Sequence, residues 1–174
     1  MNLLRLVLGV MCGIAATGPM SVVMVLLHRR LPERERYPLP PREITSQAVQ
    51  QVAEPDEITP ATRSALTWLA HFGYGGAAGA LYAETARRLP GRAPVRGAIF
   101  GLLVWTVSYL GVLPGLRVLT PATEHPLQRS ALMIAAHLVW GWFLAVVYEV
   151  LFSDFWREST AFHTSSRSHR DSAR

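Results

Sequence analysis

Lysine is absent from the 174 residues, and cysteine occurs once, at Cys12. A single cysteine excludes an intramolecular disulfide and any thiolate metal cluster built within one chain. Cys12 lies inside an apolar run and reads as a small buried side chain. Charge is also scarce: 17% of residues are charged, and the 17 arginines sit beside apolar blocks rather than in one basic stripe. That placement suits membrane flanks and anionic headgroups, and it argues against nucleic acid as a partner. A Gly-rich phosphate loop, a nucleophile elbow and a His-Glu-x-x-His helix are all missing. The acids fall in loops or near run ends, so no carboxylate pair lies inside an apolar run. The sequence therefore predicts a protein that is not an enzyme, with no catalytic residues, no metal site of its own and no resident cofactor.

What the chain has is hydrophobic length. Half of its residues are apolar, and they gather into runs near 7–27, 65–82, 97–113 and 131–152. Runs of about 20 residues are long enough to cross a bilayer as helices. Four spans leave little chain for a soluble core, so the lipid bilayer is the first expected partner. The first run is too long for the core of a signal peptide and ends at His28-Arg29-Arg30, so it reads as a retained helix. Helices are expected at about 4–27, 62–84, 97–116 and 130–152 in one membrane domain, 1–157. The polar residues 158–174 are expected to be a disordered tail.

One stretch occurs twice. An offset of 66 superimposes residues 63–82 on 129–148, with eight identities in twenty positions. Arg63 meets Arg129, Ser64 meets Ser130, His71 meets His137, Gly75 meets Gly141 and Tyr82 meets Tyr148. Ser64, His71, Gly75 and Tyr82 are spaced 7, 4 and 7, which makes one seam on a helix. Glycines four apart, at Gly9/Gly13, Gly75/Gly79 and Gly97/Gly101, let another backbone approach closely, where lipid supplies no hydrophobic drive for association. The expected fold is all-α: a four-helix transmembrane bundle made of two parallel two-helix repeats. The same glycine strips can also join two copies into a homo-oligomer.

Between the first two spans, residues 28–61 are polar and Pro-rich. Ile44, Ala48, Val49 and Val52 share a helical face, which predicts a short amphipathic helix near 43–53 on the membrane surface or over the bundle. Gly18-Pro19 predicts a kink in the first helix, with Thr17 or Ser21 satisfying a freed carbonyl, and Gly111 to Gly115 predicts the end of the third. Arginine counts of nine and eight on the two sides barely distinguish them. The short acid-free loop 85–96, with Arg87, Arg88, Arg92 and Arg96, favours cytoplasmic termini.

Short helices, a Gly-rich first helix, the phrase Leu39-Pro40-Pro41-Arg42-Glu43-Ile44-Thr45 and the intramembrane histidines together resemble YagU-like bacterial inner-membrane proteins. The resemblance covers about residues 5–153. It implies a multi-pass plasma-membrane protein, and since that family has no known function it implies no reaction and no functional residue.

The candidate polar site is His71, His137, Ser64 and Ser130. An imidazole deep in a membrane helix is costly unless paired, and it turns toward the bundle interior. Arg63, Arg129, Tyr82 and Tyr148 lie near the ends of their helices and are candidates for lipid headgroups. Three functions fit. A structural or assembly module would use the histidines as interhelical partners. A small transporter or proton-conducting protein would use them as a titratable pair. A bundle-core site would use them to ligate haem or a metal.

Overall fold

The computed structural model describes residues 3–33, 36, 38–51 and 58–171, with side chains as far as 152. Among these residues all regular structure is helical. Helix α1 spans Leu3–Arg29, α2 Pro40–Gln50, α3 Pro60–Thr85, α4 Ala93–Gly115 and α5 Leu127–Asp171. Pro60 opens α3, with the Thr59 hydroxyl accepting from the Thr62 N–H as its cap. Helix α5 is continuous from Leu127 to Asp171, past the helix end expected near 152.

Three helices, not the four expected, are long and apolar enough to cross a membrane: α1, α4 and the Leu127–Phe152 part of α5. Helix α3 has the length, at 26 residues, but not the hydropathy. Its sequence holds Gly73, Gly75, Gly76 and Gly79 together with His71, Tyr74 and Tyr82. Glycine and the polar aromatic groups add little to hydropathy. On α3 the residues Gly75, Gly76, Gly79 and Tyr82 are buried in the bundle.

The packing is built on two glycine seams. Gly9 of α1 lies against the Gly79 carbonyl and Gly13 against the Gly75 carbonyl, so α1 and α3 run antiparallel with their backbones in contact. On the other side Gly97 of α4 lies against the Gly141 carbonyl of α5 and Gly101 against the His137 carbonyl. All seven of these glycines are buried in contacts within the chain. The two pairs do not share the register of the sequence offset. Gly13 faces Gly75 and Gly79, whereas Gly101 faces His137 and Gly141, which is one helical turn away from the positions 66 residues on.

Helix α1 also packs along α5, and the Trp140 indole donates to the Gly13 carbonyl at 3.3 Å. The order across the bundle is therefore α3, α1, α5, α4, and α3 scarcely meets α5. Tyr82, Phe100, Trp140 and Tyr148 fill the centre with edge-to-face and stacked rings, the Tyr82 and Tyr148 centroids 5.7 Å apart. Helix α1 runs unbroken through Pro19. Thr17 and Ser21 bond the Gly13 and Thr17 carbonyls, not that of Ala15, the carbonyl a proline at 19 leaves without its donor. Near Pro114, α4 widens into a π-turn at Ser108–Val112, with the Leu113 N–H reaching the Ser108 carbonyl, and then ends at Gly115.

Helix α2 begins at Pro40 rather than 43 and caps the end where α5 starts. Its buried residues are Pro40, Thr45 and Val49, while Ala48 is exposed and Val52 lies outside the described residues. Glu43 forms an ion pair with Arg129, whose side chain is 10% exposed. Gln51 donates to the Leu116 and Arg117 carbonyls.

A methyl group at Gly141 would collide with the Gly97 carbonyl and the Gly101 nitrogen, and neither backbone can yield. Gly141→Ala should therefore lower stability by about 1–3 kcal/mol in denaturant titrations in detergent. Gly73→Ala, with open space around the site, should lose nothing. Glu43→Gln leaves the largely buried Arg129 cation with a weaker partner. It should cost about 2 kcal/mol in the same assay, less than the ~3–5 kcal/mol of a fully buried pair because Glu43 keeps a quarter of its exposure. Adding Arg129→Met to Glu43→Gln should recover part of that loss.

Candidate functional site

His71 and His137 come to one place by different routes. His71, on α3, turns toward α1, where its Nε2 lies 3.1 Å from the Ser21 hydroxyl. That hydroxyl donates its only proton to the Thr17 carbonyl at 2.7 Å. The ring must then donate through Nε2, and the neutral ring keeps a lone pair on Nδ1. His137, on α5, is buried, and its Nδ1 lies 2.8 Å from the Met133 carbonyl. A carbonyl can only accept, so Nδ1 carries the proton and Nε2 keeps the lone pair. Tyr109 stands edge-on to the His137 ring at 5.9 Å, on the π-turn of α4. The widened turn re-aims residues that a regular α-helix would place elsewhere.

Both rings line a cavity of about 230 Å³ enclosed by α1, α3, α4 and α5. Pro41, Ile44 and Thr45 of α2 close it at one end. Around the histidines the wall carries Thr17, Met20, Tyr74, Ser108, Met133 and Trp140, with no Asp, Glu or Arg among its residues. The serine and threonine hydroxyl protons are committed to backbone. Thr17 donates to Gly13, Thr45 to Pro41 and Ser108 to Val104, each at 2.7–2.9 Å. Ser108, its proton already used, accepts from the Tyr74 hydroxyl at 2.7 Å. The arrangement can therefore hold a neutral guest and accept protons or hydrogen bonds from it. Among the described residues no group of three or more His, Cys, Asp or Glu side chains could hold a metal ion.

Of the four residues in the candidate polar site, the structure brings together the two histidines and not the serines. Ser64 is exposed, and Ser130 donates to the Ala122 carbonyl at 3.1 Å. The headgroup candidates are placed differently from one another. Arg129 is buried against Glu43, Arg63 is half-buried, and Tyr82 and Tyr148 are buried inside the bundle facing each other. The Tyr82 hydroxyl has no hydrogen-bond partner among the described residues. Sequence reasoning did not single out Tyr74, Ser108, Tyr109 or Trp140. The Gly111/Pro114 pair was the available signal for Ser108 and Tyr109, since a break in helix periodicity is where neighbouring side chains change direction.

No curated protein and no solved structure matches the chain. A family model described as "Protein of unknown function (DUF1440)" matches residues 30–146, which takes in α2, α3, α4, the start of α5 as far as residue 146, both histidines and the cavity lining apart from Thr17 and Met20 of α1. The chain belongs to this family of unknown function.

Proposed function

We propose that this protein is a small multi-pass membrane protein that binds a small guest in the cavity of its bundle, as a carrier or transporter within the membrane. The observation that carries this reading is that His71 and His137 line one cavity of about 230 Å³, although the helices bearing them scarcely touch. A bundle that existed only to pack would gain by filling that space, since an empty void forfeits dispersion contacts on every wall. The glycine strips, all used within the chain, supply the packing without the histidines. A haem or metal role has less support: the imidazole nitrogens that are held bond Ser21 and the Met133 carbonyl, and the wall has no acidic ligand.

In this reading α3 is a fourth span. It lies antiparallel against α1 through Gly9 and Gly13, so if α1 crosses the bilayer α3 crosses at the same depth. The two seamed pairs are then copies of one hairpin that have slipped by a turn, and the bundle sits in a bacterial plasma membrane with cytoplasmic termini. The YagU-like resemblance fits this picture and adds no substrate.

Fluorobenzene, followed by fluorine NMR of the detergent-solubilised protein, tests the cavity. Wild type should show a bound resonance. Val104→Phe, which places a ring in the cavity wall, should remove it while leaving the folded protein intact. A spectrum identical for wild type, the filled variant and empty micelles would reject a guest-binding bundle.

A further inference from the structure

The polar inventory of the cavity is one-sided, and its mouth faces sideways. Thr17, Thr45, Ser108 and the Trp140 indole all direct their protons to carbonyls of the protein. His71 and His137 do the same with one nitrogen each, to the Ser21 hydroxyl and the Met133 carbonyl. What remains for a guest is acceptors: lone pairs on the two imidazoles and on the hydroxyls. The one addition is the Tyr109 hydroxyl, which can give or take a proton. Acceptors outnumber donors in the wall, so a guest that donates is the one it suits best. The guest must also be neutral, because no carboxylate lines the wall to balance a cation and no arginine to balance an anion.

Size and access narrow the class further. An apolar cavity of about 150 Å³ holds one benzene ring, so about 230 Å³ holds a ring with small substituents. Tyr74, Tyr109 and Trp140 offer aromatic walls. Helices α3 and α4 do not pack together as the other neighbours do, and the Tyr74–Ser108 hydrogen bond spans the gap between them. Tyr74 is 54% and Val112 50% exposed, yet both line the cavity, so it reaches the outer face of the bundle between these helices. In a bilayer that face meets lipid.

We propose that the cavity is a site for a neutral phenol-type molecule, such as the hydroquinone headgroup of a lipid-soluble carrier. The guest enters from the bilayer between α3 and α4 and is held by its hydroxyl proton on the imidazole lone pairs. This rests on the guest-binding reading above and adds the chemistry of the guest. The Tyr74–Ser108 bond must open for passage, which places it as the latch of the side entrance.

The test compares p-cresol with 4-methylanisole, the same ring with the donor proton replaced by a methyl group, by competition against fluorobenzene on the wild-type protein. A donated hydrogen bond to a buried acceptor should make p-cresol bind about ten-fold tighter, after correction for partition into micelles. In His137→Leu the preference for p-cresol should fall to about two-fold or less. Equal affinities in wild type would overturn the phenol assignment while leaving the cavity as a guest site. Failure of fluorobenzene, p-cresol and 4-methylanisole alike to bind would instead remove the guest-binding reading on which it stands. The wild-type comparison needs no variant, so it decides even if His137→Leu does not fold.

Discussion

The structure depends on backbone meeting backbone. Inside lipid, apolar side chains gain nothing by leaving one hydrocarbon environment for another, so helices hold together by close packing and by whatever polar contacts they can make. Glycine allows the closest packing there is. At Gly9, Gly13 and Gly79 the nearest partner across the contact is a glycine backbone, and the same is true of Gly97 with Gly141; at Gly75 the Thr17 hydroxyl comes first and the Gly13 carbonyl next. Weak Cα–H···O contacts recur where helices approach this closely. Every other feature of the bundle is arranged around these two fixed pairs.

Joining the pairs through α1 and α5 leaves α3 and α4 as outer helices with no seam between them. That gap is why a cavity exists and why its mouth is lateral. It also explains how two histidines on helices that scarcely touch can face one space: His71 reaches it past α1, and His137 reaches it from the buried face of α5. Helix α2 then closes the end, fastened by Glu43 to Arg129 and by Gln51 to the carbonyls that follow α4.

Much of this was legible in the sequence and some was not, for identifiable reasons. Helical class, the glycine contacts and the inward-facing histidines follow from residue type and spacing alone, because the physics of each is local. Partner identity is not local. The repeat aligns Gly75 with Gly141, but a helix pair can slip one turn and keep glycine against backbone, so the sequence offset did not fix the contact register. Tyr82 and Tyr148 sit near the termini of their apolar runs, where a headgroup position is natural, yet both are buried because Phe100 and Phe152 pack against them. Arg129 looked like a headgroup ligand until its partner, 86 residues earlier in the chain, was placed beside it. The expected fourth span failed on α3 because its run has the length but its glycines, His71 and tyrosines keep its hydropathy below that of the other three helices.

The one-sided chemistry of the cavity is a consequence of the same constraint. A hydroxyl in a membrane helix has no water to bond and turns back to the carbonyl four residues earlier, as Thr17, Ser21 and Ser108 do, and Thr45 of the capping helix α2 does the same. Each such bond consumes a donor and leaves lone pairs pointing outward. Proline and the π-turn do not alter that balance; they only decide which side chains face the space. A bundle that satisfies its hydroxyls in this way, and carries neutral histidines, therefore presents acceptors to its interior before any guest is considered. The polarity of the cavity wall is set by how the helices solve their own hydrogen bonding.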